Sequence, residues 1–220
     1  MGWLDLVLPV RCVSCGEDGS GFCGSCRARL TPISAPLCDR CGAPTAWPVL
    51  RCAECSGRRI AFAGARAAVV YDETVKRFVA GWKEQGLRRL ADVAADLVVE
   101  RVPRPGGVML AFVPPDVDRT LKRGHHPAER LARGLAERWE LPVEALLARP
   151  GAAPRQRGLA LAERRRNVAG AFEPRAPAPA RVILVDDVYT SGATANAAAS
   201  ALRRGGARFI SVITFARAVR

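Results

Sequence analysis

Apolar residues follow two periods along this chain. Val182 to Val185 form four consecutive apolar positions, three of them β-branched, the composition of a strand buried on both faces. Asp186 and Asp187 follow, at the point where such a strand is expected to leave its sheet. Thr190 to Thr194 then open an alanine-rich helix that should stop near Gly205 and Gly206. Ala67–Tyr71, Val108–Val113 and Arg208–Phe215 read as further strands, with shorter ones around Val143–Leu147 and Gly170–Phe172. Between them run helical spacings. Val75, Phe78, Val79 and Trp82 fall at i, i+3, i+4 and i+7; Leu87–Val102 is a second amphipathic stretch; Leu131, Leu135 and Trp139 share a face behind Pro127. Alternating strands and helices predict an α/β body built on a mostly parallel, doubly wound sheet.

In such sheets ligands sit at the carboxyl ends of the strands, and a helix N-terminus offers unpaired N–H groups to an anion. The segment after Val185 has what that position needs. Gly192 lets the backbone approach a phosphate, Thr190, Ser191 and Thr194 supply hydroxyls, and the two carboxylates suit sugar hydroxyls or a magnesium ion. The plain alternative is a buried strand ending in a capped helix, with both acids merely solvated. The unbroken order of acids, hydroxyl-rich glycine loop and helix start favours a site for a phosphorylated sugar.

The first quarter of the chain has a different texture. All eight cysteines lie there as four CxxC pairs: Cys12/Cys15, Cys23/Cys26, Cys38/Cys41 and Cys52/Cys55. Two thiolates on one tight turn grip one tetrahedral ion, and two such turns complete a Cys₄ site. Spacing leaves consecutive and cross-brace pairing both open, and disulfides or an iron–sulfur cluster are the competing uses. Between Gly16 and Gly57 there are few large apolar side chains, so the segment cannot offset its ordering entropy by burial alone. Two structural zinc ions, at about 10–16 kcal/mol each, would supply the difference. The expected domains are therefore 1–57, a double zinc ribbon, and 58–220, the α/β body.

Composition sharpens this only in part. The formal charge is +13 and comes almost wholly from arginine, Lys76, Lys83 and Lys122 being the only lysines. That balance favours an anionic ligand or nucleic acid over a membrane. No run of apolar residues is long enough to span a bilayer, and the opening Met1–Pro9, with Asp5 and no basic start, does not read as a signal peptide. A cytoplasmic protein with reduced thiols is expected.

The string from Val182 to Thr194 resembles the phosphoribosyl-diphosphate (PRPP) signature of type I phosphoribosyltransferases, with Tyr189 its bulkiest departure. The resemblance gives Asp186 and Asp187 the ribose, and through them the catalytic role, and it gives the loop from Val188 and Tyr189 through Thr190, Ser191, Gly192, Ala193 and Thr194 the 5′-phosphate. Taken with the four CxxC pairs, Tyr71 and Lys83, Val113-Pro114, Arg123-Gly124, Gln156, Leu159, Glu163, Arg164, Asn167 and Phe172, the chain resembles the ComF family of competence-related proteins over nearly its whole length. The loop after Gly124 departs from that family's pattern, reading His125-His126-Pro127; both histidines are expected to be exposed loop residues.

The resemblance implies a type I phosphoribosyltransferase fold whose site has three walls. Beside the signature, the loop after Val113 would hold pyrophosphate through Pro114, Arg119, Lys122, Arg123 and Gly124, with Lys83 contributing from the first body helix. The arginine-rich stretch Pro150–Asn167 would close over it through Arg155, Gln156, Arg164 and Asn167. Magnesium would accompany PRPP. Two functions follow: a PRPP-dependent transferase acting on an unidentified base or nucleotide, or a non-catalytic module binding single-stranded DNA alongside DNA-uptake or repair proteins. Stacking on DNA needs clustered aromatics, and Trp47, Phe62 and Trp139 are scattered among thirteen aromatic residues.

Overall fold

The fold is organised by one strand. In the computed structural model, which describes residues 10–106, 109–115, 125–150 and 170–219, the apolar run becomes β6 (Arg181–Tyr189) at the centre of a five-stranded parallel sheet. Its neighbours are β7 (Phe209–Arg217) and β2 (Met109–Phe112), with β1 (Gly64–Val70) and β3 (Val143–Glu144) at the edges. The order β1-β7-β6-β2-β3, parallel throughout, is the doubly wound sheet that alternation predicted. Strands β4 (Leu147–Ala148) and β5 (Glu173–Pro174) form a separate antiparallel pair. The expected strand around 170–172 thus lies slightly later, at Glu173–Pro174, directly after the buried Phe172.

Period two in β6 divides the core. Ile183 and Val185 face one layer, Val182 and Leu184 the other. The first layer holds α2 (Glu73–Glu84), α3 (Leu90–Arg101) and α4 (Pro127–Trp139). The stripe predicted for α2 is buried as spaced: Val75, Phe78, Val79 and Trp82, with Phe78 against Phe215 of β7 at 4.8 Å between ring centroids. Asp72 caps this helix, its Oδ1 accepting from the Val75 N–H at 2.9 Å. Truncating Phe78 to alanine would cost about 3–5 kcal/mol. Helix α3 begins later than its apolar pattern, since Gly86 turns the chain in the left-handed region (φ 69°) and leaves Leu87 exposed. The opposite layer holds α5 (Ala193–Arg204), whose alanines let it pack closely on Val182, Leu184 and Val212.

The cysteine-rich segment straddles the edge of the sheet. Residues 31–33 lie antiparallel along β1, with Ile33 N–H donating to Ala68 O and Val70 N–H to Thr31 O. The ribbon before them, with α1 (Gly24–Ala28), packs Phe22 and Leu30 against α2 and α3. The ribbon after them packs against α5 and the ends of β6 and β7. No helix among the described residues is long and apolar enough to cross a membrane.

Candidate functional site

The carboxyl end of β6 is asymmetric. On one side the pairing with β2 stops at Val185↔Phe112; on the other it continues with β7 through Asp186↔Thr214 to Tyr189↔Arg217. Contrary to the expectation from sequence, the two acids therefore do not leave the sheet. They remain strand residues with a free edge, because the β7 ladder outlasts the β2 ladder. Where β2 ends, Val113 still donates its N–H to Val185 O at 3.0 Å, and Pro114 and Pro115 beyond it border a cleft of about 370 Å³. Asp186, Asp187, Val188, Thr190 and Thr194 line one wall, Tyr71 and Lys83 another, and His126 and Arg149 the rest.

The loop from Thr190 to Gly192 is held tightly. Gly192 adopts φ 72°, and an added Cβ there would lie 2.1 Å from the Tyr189 hydroxyl. Helix α5 starts at Ala193, whose N–H meets Ser191 Oγ at 3.4 Å, so the helix N-terminus and the hydroxyls of Thr190 and Thr194 face the cleft together. Lys83 points into the cleft: its Nζ sits 2.7 Å from Asp187 Oδ1. Burial, reinforced by the charge of Asp187 and only partly offset by Lys83, pushes the Asp186 carboxyl up to about 7. An acidic floor under a basic and hydroxyl rim can accept sugar hydroxyls or a divalent cation below and phosphate oxygens above.

Both histidines contradict the expectation that they are exposed. His125 is buried, with Nε2 2.8 Å from Trp82 O, and His126 Nε2 is 2.9 Å from Val113 O. A carbonyl only accepts, so each Nε2 donates. His126 also faces Glu129 through Nδ1 at 3.4 Å, yet burial holds its pKa below the usual range. The pair fastens the start of α4 to α2 and to the end of β2, which is why Pro127 can begin the helix beside the cleft.

The eight thiols form two groups, Cys12, Cys15, Cys23 and Cys26, then Cys38, Cys41, Cys52 and Cys55, with the sulfurs of each group within 4.8 Å of one another. Pairing is consecutive, not cross-braced. Cys15–Cys23 and Cys41–Cys52 sulfurs lie 3.6 and 3.5 Å apart. A tetrahedral zinc with bonds of about 2.3 Å sets its sulfurs about 3.8 Å apart, so both groups fit the ion. N–H groups of Cys23 and Cys52 point at Cys12 and Cys38 Sγ at 3.4 and 3.3 Å, the donors that thiolate ligands need. Four thiolates leave no open coordination position.

Arg119, Lys122, Arg123, Gly124, Arg155, Gln156, Arg164 and Asn167 lie outside the described residues, as does the opening Met1–Pro9. Among the described ones, sequence reasoning placed Asp186, Asp187, Val188 to Thr194, Lys83 and Pro114 in one neighbourhood, and they meet there. It missed Arg149, stacked on Phe172 at 5.4 Å, and Arg58, whose Nη2 donates to Ser191 O at 2.8 Å. Neither has a motif. Arg149 has only its place before the arginine-rich stretch as a signal.

Comparison with known proteins fits this arrangement. Residues 3–56 match the model of the double zinc ribbon domain. Over nearly its full length the chain is similar to competence protein F of Haemophilus influenzae, at 28% identity covering 94% of this chain and 97% of that one. It is similar also to the DNA utilization protein YhgH of Salmonella typhimurium, at 28% identity covering 87% and 88%. Competence protein ComFC of Streptococcus pneumoniae matches at 24% identity over 91% and 90%. The ComF-type resemblance read from the motifs holds across both the ribbons and the α/β body.

Proposed function

We propose that the cleft at the end of β6 binds PRPP with magnesium and that the protein transfers the phosphoribosyl group to or from a base or nucleotide. The observation that carries this reading is convergence. Lys83 from α2 and the turn at Pro114 come from distant parts of the chain to the cleft that Asp186, Asp187, Thr190 and Thr194 line at the carboxyl edge of a parallel sheet. In this assignment the acids take the ribose hydroxyls and the cation, and the loop takes the 5′-phosphate. Lys83 and the turn at Pro114 face the diphosphate. Loss of pyrophosphate leaves positive charge on the ribose, which Asp186 and Asp187 would stabilise; positioning and leaving-group neutralisation supply most of the acceleration. Residues 1–57 would act as a zinc-bearing structural domain packed on the body. The test is pyrophosphate release from PRPP with magnesium across a panel of free bases. Release stimulated by one base supports transfer; tight PRPP binding with no release under any base removes the transferase half of the reading.

A second reading rests on the relatives named for competence and DNA utilization. With +13 formal charge and Trp47 68% exposed on the second ribbon, the protein would bind single-stranded DNA by phosphate contacts and stacking, in DNA uptake or repair. DNA affinity that falls steeply with salt and ignores PRPP would favour this module.

A further inference from the structure

The two ribbons stand in different relations to the cleft. The first docks on α2 and α3, on the sheet face away from α5; its direct polar tie to α2 is Arg77 Nη1 to Ser14 O at 3.0 Å. The second docks on the α5 face and reaches the loop before α5 by two routes.

The first route runs through Arg217, the last residue of β7 and 1% exposed. Its Nη1 donates to Cys41 O at 2.7 Å, and its Nη2 to Glu54 Oε2 at 2.9 Å and towards Cys41 Sγ at 3.4 Å. One guanidinium thus grips two turns of the second Cys₄ group, beside Cys41 and beside Cys55. The other side of the same guanidinium lies over the Tyr189 ring, 4.6 Å from its centroid. Tyr189 is itself buried, edge-on to Phe62 at 6.3 Å, and its hydroxyl fills the space beneath Gly192. The second route is backbone-directed: Arg58, three residues after Cys55, donates to Ser191 O, and the Ala61 N–H donates to Asn196 Oδ1 at 2.7 Å in the first turn of α5.

A buried arginine at the end of an apolar strand is costly unless its charge is paired; Glu54 pairs it here, while Nε has no hydrogen-bond partner among the described residues. Here it serves two bodies at once: the thiolate-bearing turns on one side, the ring under the glycine loop on the other. Tyr189, which as a motif residue is unusually large, becomes intelligible as the piece that transmits the position of the ribbon to the loop. We infer that Arg217 is a positioning residue that couples the second zinc ribbon, and not the first, to the anion-binding geometry of the Thr190–Thr194 loop.

This rests on the assignment of that loop to a sugar phosphate, and the test separates the two. Two quantities are measured on the full zinc-loaded chain: amide exchange of residues 190–196, and calorimetric affinity for ribose 5-phosphate. Arg217→Lys keeps a charge near Tyr189 but replaces the planar fork, whose Nη1 and Nη2 reach Cys41 O and Glu54 separately, with a single nitrogen. It should speed exchange in the loop and weaken ribose 5-phosphate by roughly fivefold or more, with two zinc ions retained. Glu54→Gln, at a partly exposed position, should do the same more mildly and serves if Arg217→Lys does not fold. Arg77→Ala, the matched change under the first ribbon, should leave both readouts within about twofold of the parent. Unchanged loop exchange in Arg217→Lys and Glu54→Gln, or an equal response to Arg77→Ala, overturns the coupling. If the parent itself fails to bind ribose 5-phosphate, the loop assignment falls while the exchange measurement still decides the coupling.

Discussion

Lys83 Nζ lies 2.7 Å from Asp187 Oδ1, so the last turn of α2 is tied to the free edge of β6 across the cleft. With side-chain exposures of 24% and 13%, the pair is largely withdrawn from water. Removing one partner strands the other, so Lys83→Met should lower unfolding free energy by about 1–3 kcal/mol. Adding Asp187→Asn should recover part of that loss. Urea denaturation of the two single variants and the double variant measures the coupling; additive losses would mean the ion pair contributes nothing.

Asp186 gives a pH dependence of definite sign. Its folded pKa, about 7, lies above its value in the unfolded chain, so the folded state binds the extra proton. Stability from this group is therefore full below about pH 4 and declines as pH rises towards 7. Asp186→Asn, which cannot ionise, should melt above the parent at pH 8, and the gap should close as pH falls towards 4. A gap that widens on acidification contradicts the burial argument.

Gly192→Ala meets two obstacles, a φ of 72° and the Tyr189 hydroxyl 2.1 Å from the new methyl. A loss of about 1–3 kcal/mol is expected, with the loop displaced. Tyr189→Leu in the same chain should relieve the overlap but not the backbone strain, so the double variant should regain only part of the stability. Thermal melts of the three variants check this; a neutral Gly192→Ala would show that the loop yields to an added methyl.

Two ions per chain are expected from metal analysis of protein purified without added zinc, since both Cys₄ groups are formed. Cys38→Ala should leave one ion and release the second ribbon from α5; Cys12→Ala should leave one and release the first from α2. One ion or fewer in the folded parent contradicts the two-site arrangement.

Much of the architecture was legible because it rests on local pattern. Four β-branched or apolar residues before two acids identify β6, and the i, i+3, i+4, i+7 stripe of Val75 to Trp82 identifies α2. The cysteine spacing identified eight ligands, but their pairing depends on how each turn docks, which spacing does not encode. The histidines were misjudged for a related reason. A His-His-Pro loop looks solvated until Trp82 O and Val113 O, distant in sequence, arrive as acceptors. Arg217 was invisible altogether: nothing in Phe209–Arg217 announces that its terminal charge is buried against a cysteine turn from the other end of the chain.

The central claim is that Asp186 and Asp187 hold the ribose end of PRPP. Calorimetric titration at pH 8, where Asp186 is mostly ionised, of PRPP with magnesium into the parent and into the Asp186→Asn/Asp187→Asn double variant tests it most directly, because the exchange keeps shape and removes both charges. The expected result is an affinity more than about tenfold weaker in the double variant, roughly 1.4 kcal/mol or more. Equal affinity in the two proteins would contradict the assignment.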